Sequence, residues 1–179
     1  ISKGGDIILF VRDEGNAKVG KVYKFFGGSI TQIGANVSTG PATDLAIAFS
    51  STNEIYISFT DGSLGTVAVV KRWGGSSWLD IGLNGIASGT SVAHYNSLIL
   101  DKTNTPVIAY QDGSASNKIT IRKFNGSSWV TSSTVGAAST TNSKLKCANT
   151  NNFFIGYVQG TDAIVQEYNG SVWTPLGSP

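Results

Sequence analysis

TPVIAYQDGSASNKITIRKFNGSSW, residues 105–129, alternates apolar runs with turn-forming residues in an order that recurs along the chain. Val107-Ile108-Ala109-Tyr110 has no polar residue on either face, as in a strand covered on both sides. Asp112-Gly113 follows as a turn. Lys118 to Phe124 alternates, with Ile119 and Ile121 on one face and Lys118, Thr120 and Arg122 on the other, the pattern of a half-buried strand. Asn125-Gly126 closes a second hairpin because both residues tolerate positive φ, and Trp129 opens a further strand. Upstream, Leu98-Ile99-Leu100 is one more apolar run, joined through Thr103-Asn104-Thr105. The unit thus has four strands, A to D.

Copies of this unit lie on both sides. Asn53, Asn104 and Asn151 form A–B turns at intervals of 51 and 47 residues. Phe59, Tyr110 and Tyr157 end strand B at the same two intervals, and Phe10 ends an earlier one, 49 residues before Phe59. The C–D turns are Trp73-Gly74-Gly75-Ser76-Ser77-Trp78, Phe124 to Trp129 and Tyr168-Asn169-Gly170-Ser171-Val172-Trp173, with Phe26-Gly27-Gly28-Ser29-Ile30 a shorter copy. Four repeats of roughly 50 residues, 1–39, 40–90, 91–139 and 140–179, cover the chain as a single repeat domain. Ile1-Ser2-Lys3-Gly4 matches the end of a strand A and its turn, so the first unit is predicted as Ile7 to Phe10, Val19 to Phe26 and Ile30 to Ile33 without its innermost strand. Fifteen strands are predicted in all.

A four-stranded sheet that is apolar on both faces is not stable alone in water. Stacking copies face to face and bending the stack into a ring buries those faces. In this the chain resembles the β-propeller superfamily over essentially its full length, although the WD and kelch signatures are absent. The resemblance implies an all-β fold of about four radial four-stranded blades. A parallel β-helix is the alternative, with rungs shorter than these repeats. Unpaired backbone along Ile7 to Phe10 calls for a partner strand. A second chain, an upstream segment or a shifted C-terminal tail would supply it, making an oligomer or a partner chain that completes the first blade an expectation.

Composition narrows the function. At 179 residues the chain buries about 70 % of its unfolded surface. Only 13 % of residues are charged while 40 % are apolar, the composition of hairpins rather than of disorder. A net charge of +2 implies no nucleic-acid partner, and no apolar run approaches a membrane span. With no Met the chain reads as a processed or excised piece. Cys147 falls at the strand A position of Phe49 and Leu100 and reads as a small core residue. Few charges and Ser/Thr-rich loops fit an extracellular or cell-surface protein, in which the sequons at Asn36, Asn125 and Asn169 would matter.

His94 is the only histidine, which leaves no motif for a Ser-His-Asp or Cys-His set, and a zinc site of several His or Cys is excluded by count. No cofactor is expected. What remains is position. B–C and D–A connections share one end of a radial array, and Asp13, Glu14, Asp61, Asp112 and Asp162 fall in the former, Thr43-Asp44, His94-Tyr95 and Thr141-Asn142 in the latter. Asp-Gly is also what a tight turn favours. The ligand-binding candidates are therefore Asp61, Asp112, His94, Tyr95 and Asp44: carboxylates and an imidazole for hydroxyls or a cation, and a phenol for stacking. Lysines and arginines cluster on strand C, as on a solvated rim. The recurring Trp78, Trp129 and Trp173 are read as packing between sheets. These features favour a non-enzymatic binding module for a glycan or a protein, with a structural scaffold as the alternative and an enzyme least supported.

Overall fold

The computed structural model describes residues 2, 5–82, 86, 92–148 and 152–177. Asn151 of the fourth A–B turn and Ile1, Lys3 and Gly4 of the entry turn lie outside the described residues. Among the described residues fifteen strands run in order: β1 (Ile7–Asp13), β2 (Val19–Phe26), β3 (Ser29–Gln32), β4 (Ala42–Phe49), β5 (Ile55–Asp61), β6 (Val67–Trp73), β7 (Trp78–Asp80), β8 (Ala93–Leu100), β9 (Pro106–Asp112), β10 (Lys118–Phe124), β11 (Trp129–Val135), β12 (Thr141–Cys147), β13 (Phe153–Gln159), β14 (Asp162–Tyr168) and β15 (Trp173–Pro175). All pairings are antiparallel and sequential. They give a three-stranded sheet β1-β2-β3 and three four-stranded sheets, β4 to β7, β8 to β11 and β12 to β15. The only helical segments among the described residues are two single 3-10 turns, Gly62–Leu64 and Gly113–Ala115, and none is long and apolar enough to cross a membrane.

The first strands of the full sheets, β4, β8 and β12, lie side by side along the inside of the array. Three apolar layers fill the spaces between successive sheets. Ile57, Phe59 and Val69 meet Val22, Ile8 and Phe10 between the first and second. Tyr56, Ala68 and Val70 meet Leu98, Ile108 and Tyr110 between the second and third. Ile99, Val107 and Ile121 meet Leu145, Ile155 and Tyr157 between the third and fourth. Strands β5 and β9 are buried at every residue, which explains why Val107 to Tyr110 of β9 shows no polar alternation.

The first repeat departs from its predicted register by one residue. Asp13 pairs with Val19 and Asp61 with Val67, so the first two repeats are 48 residues apart, and Val11 rather than Phe10 is the counterpart of Phe59. Because strand side chains alternate in direction, this slip exchanges the two faces. Phe10 instead points across the interface at Phe59, edge to face at 6.0 Å. Ile7, Leu9, Val11 and Phe25 then form the outer face of the first sheet and stay more than a third exposed. On the outer face of the fourth sheet, Lys144 and Lys146 stand exposed where the second and third sheets carry Ala46 and Ala48, and Ser97 and Ile99.

Each repeat tryptophan fastens its sheet to the one before. The indole N–H of Trp78 donates to the Ile33 carbonyl at 3.0 Å, that of Trp129 to the Ile81 carbonyl at 2.7 Å, and that of Trp173 to the Ser133 hydroxyl at 2.8 Å. The rings are only half-buried, so they clasp the outer parts of neighbouring sheets and do not fill the core. Trp129→Phe keeps an aromatic ring but removes the donor. It is expected to lower stability by about 1 kcal/mol in a denaturant titration.

Candidate functional site

The five predicted residues do lie at one end of the sheets, but they differ in what they do there. Asp61 and Asp112 end β5 and β9 and are almost fully buried. The Asp61 carboxylate accepts from the Ser63 amide at 2.9 Å and its hydroxyl at 2.5 Å, and Asp112 accepts in the same way from Ser114 at 3.0 and 2.6 Å. Both carboxylates thus cap the 3-10 turns that form the B–C connections, in place of the tight Asp-Gly turns read from sequence. Replacing Asp61 and Asp112 together by Asn leaves an acceptor oxygen in each cap. Melting of that variant is expected to shift by less than about 1 kcal/mol equivalent, with ligand titration unchanged.

Asp44, His94 and Tyr95 are brought together, and not in connecting loops: Thr43-Asp44, His94-Tyr95 and Thr141-Asn142 sit inside the inner strands, where each pairing shifts register. The shift recurs at one position. Asp44, Tyr95 and Asn142 have φ of 51°, 55° and 54°, left-handed values that Asp and Asn tolerate better than Tyr. These bulges turn backbone groups sideways, which stitches neighbouring inner strands. The Tyr95 amide donates to Asp44 Oδ1 at 2.9 Å and the Ser143 hydroxyl to the Tyr95 carbonyl at 2.8 Å. His94 Nδ1 stands 3.5 Å from Asp44 Oδ2 with its side chain half in solvent.

At the opposite end, where the turns alone were read as structural, the sheets leave clefts between them. The cleft between the second and third sheets holds about 540 Å³ and is lined by Tyr56, Arg72, Pro106, Lys123, Phe124 and Asn125. Tyr56 and Arg72 are register partners on β5 and β6, and Arg72 Nη1 donates to Glu54 Oε1 at 2.7 Å. Burial pushes the Tyr56 phenol above its ordinary range. Across the cleft, Lys123 Nζ lies 2.7 Å from Asp101 Oδ2, and Asp101 Oδ1 also accepts from Thr103 and Thr105 amides at 2.8 and 2.9 Å. Burial by itself would raise the Asp101 pKa, but Lys123 and the Thr103 and Thr105 donors outweigh it and hold the carboxyl below its ordinary 3.8. A depressed carboxylate stabilises the fold above its unfolded pKa and loses that contribution as pH falls through the folded value. Wild type is therefore expected to lose more stability than Asp101→Asn between pH 5 and values below 3.8, read as melting temperature against pH.

A second cleft of about 300 Å³ lies between the first and second sheets, lined by Asp6, Ile8, Lys24, Asn53, Ile55 and Trp73. It is the first cleft moved back one repeat. Lys24 Nζ donates to Asp6 Oδ2 at 2.9 Å, and in both clefts the acid precedes the cation by 18 residues. Asn53 and Asn104 take φ of 67° and 61° at the two turns. Each cleft therefore offers guanidinium or ammonium donors and an aromatic face, with Asp6 a carboxylate acceptor in the smaller one and the Asn104 and Asn125 amides acceptors in the larger. That recurring 18-residue spacing is the signal that sequence reading passed over. Cys147 is half-buried with its thiol pushed up by burial, in keeping with a core position.

No family model and no curated protein matches the chain. Among solved structures it is similar to the fucose-specific lectin from Aleuria aurantia, with TM-score 0.68 and 15% identity over 97% of this chain and 57% of that one. A further structure of the same lectin, described as a six-bladed β-propeller, gives TM-score 0.67 at 16% identity, over 97% and 57% of the two chains. An exo-β-1,3-galactanase from Phanerochaete chrysosporium gives 0.62 at 10% identity, over 97% of this chain and 47% of that one. The chain thus spans about half the length of these proteins. At such identities the likeness speaks for architecture alone, and together with the radial, sequentially paired sheets it gives this chain the fold of a β-propeller.

Proposed function

We propose that the chain is a non-enzymatic, lectin-like module of an extracellular or surface protein, and that it binds glycans in the clefts between successive sheets. The observation that carries this is the recurrence of a cation, held by an acid 18 residues before it, beside an aromatic ring in two clefts related by the repeat: Lys24, paired with Asp6, with Trp73, and Arg72, paired with Glu54, with Phe124. A pyranose presents vicinal hydroxyls along one edge and C–H groups on one face. A fixed donor beside a fixed acceptor meets the hydroxyls, and an aromatic ring meets the face. Because each cation already faces a carboxylate, the clefts suit neutral sugars better than sulfated or uronic ones. The solved structures of similar fold include a lectin and a galactanase, which is consistent with this reading.

The four sheets are proposed as consecutive blades of an array with more than four, the first lacking its inner strand. Asp44, His94 and Tyr95 are kept as a second, axial ligand site, with Asp61 and Asp112 as the caps that hold its rim. A scaffold role is the other reading, favoured by the exposed apolar face of Ile7, Leu9, Val11 and Phe25, onto which another sheet or a protein partner would stack. A glycan array followed by titration separates them. Saturable binding of neutral glycans is expected, whereas preference for sulfated or uronic glycans, or no hit at all, would count against the cleft reading.

A further inference from the structure

The inner slot of the first sheet is bounded by two walls that both call for a strand. One is β1, which among the described residues pairs on one side only, with β2. The other is the face of β4 that looks toward the first sheet, where Leu45 and Ile47 remain half-buried. Their counterparts are covered: Asn96 and Leu98 on β8 are 2 % and 6 % exposed, Ser143 and Leu145 on β12 are 0 % and 1 %. The difference lies in the neighbour, since β4 covers β8 and β8 covers β12. The more apolar pair, Leu45 and Ile47, is thus the less buried one. At the foot of the slot, Ser2 N donates to Asp6 O at 2.9 Å and Gly5 N to Ser2 O at 3.0 Å. The same two bonds form at the later A–B turns, Ser50 N to Glu54 O at 3.0 Å with Asn53 N to Ser50 O at 3.1 Å, and Asp101 N to Thr105 O at 3.0 Å with Asn104 N to Asp101 O at 2.9 Å.

We propose that this slot is a strand-acceptor groove, and that its occupant is an extended peptide with the chain's own inner-strand pattern, lying antiparallel to β1. Main-chain hydrogen bonds to β1 supply attachment and alternate side chains supply selectivity. The side chains that face β4 must be small at two alternate positions, because Ala46 and Ala48 are what β4 itself lays over Leu98 in the next layer. Larger groups there would overfill a layer already occupied by Leu45 and Ile47. The opposite side chains are apolar and continue the face of Ile7, Leu9 and Val11. The groove meets the smaller glycan cleft at Ser2, Asp6 and Ile8 and shares no residue with the larger one.

The test is titration of the full chain with an end-blocked peptide of residues 42–49, ATDLAIAF, followed by amide exchange. Saturable binding is expected, with exchange along Ile7–Asp13 slowed by about tenfold or more. The same peptide with Leu in place of Ala46 and Ala48 is expected to bind about tenfold more weakly or worse. Unchanged exchange along β1, or equal binding by the Leu-bearing peptide, overturns the proposal. So does a chain that alone forms a dimer with β1 already protected, since a second copy would then be the occupant. Glycan binding at the larger cleft, read as the part of the titration lost in Arg72→Ala, is independent of the groove, so failure of one does not mimic failure of the other.

Discussion

Phe59→Ala is expected to destabilise the chain by about 3–5 kcal/mol, the range for a fully buried aromatic truncated to a methyl, whereas Val11→Ala is expected to change stability by about 1 kcal/mol or less. The two residues occupy one position of the repeat, opposite Val69 on β6 and Lys21 on β2. They differ in what lies beyond. Phe59 is sealed between two sheets with 0 % exposure and a T-shaped contact with Phe10, while Val11 is 36 % exposed. In thermal melts the first variant should fall by about 10 °C or more and the second by a few degrees at most. Equal losses would mean that the outer face of the first sheet is covered after all.

Arg72→Ala is expected to weaken glycan binding at the larger cleft by about 10- to 100-fold, since a charge-assisted hydrogen bond contributes about 1.5–3 kcal/mol. Arg72→Lys keeps the charge but loses the planar fork, and should fall between the two. Neither should alter folding much, because the ion pair with Glu54 is more than a third exposed on both sides and such pairs contribute about 0–1 kcal/mol. Lys24→Ala should remove the smaller cleft in the same way and lower the number of sugars bound per chain. Titration calorimetry reads affinity and stoichiometry together. Full binding in a variant lacking both cations would exclude the clefts as the site.

Strands, sheet order and the turns at Asn125 and Asn169 were legible because hairpin chemistry and the repeat interval specify them independently. Their side-chain oxygens accept from the amides of Ser127 and Ser128, and of Ser171 and Val172, as such turns require. The register of the first repeat was not legible. Ile7 to Val11 is apolar at every position, so no alternation tells one face from the other, and the match of Phe10 to Phe59 was decided by ring type alone. Nor were the bulges, since Asp, Tyr and Asn share no side-chain signature for a left-handed backbone. Their only mark is that Asp44, Tyr95 and Asn142 recur at the same intervals of 51 and 47 residues as the turn asparagines. The predicted end of the array was therefore found through its aspartates, which cap turns, while the clefts at the other end are built from groups on four different strands and two turns and are visible only once the sheets are stacked.

Exposed Lys144 and Lys146 also bear on how the four sheets would meet a second copy of themselves. A stack of like sheets has two unlike ends, so the outward face of one copy could in principle receive the opposite face of the next and grow into an open filament, the hazard of any heterologous contact that does not close. Here that growth is interrupted by charge. Docking the apolar face of Ile7, Leu9 and Val11 onto the fourth sheet would withdraw two ammonium groups from water, and the carboxylate on that face, Asp13, is already held by Lys21 at 2.6 Å. For these four sheets taken by themselves, two lysines on one inner strand oppose such stacking, and exchanging both for the alanines that β4 carries at those positions is expected to increase association with concentration, read by sedimentation.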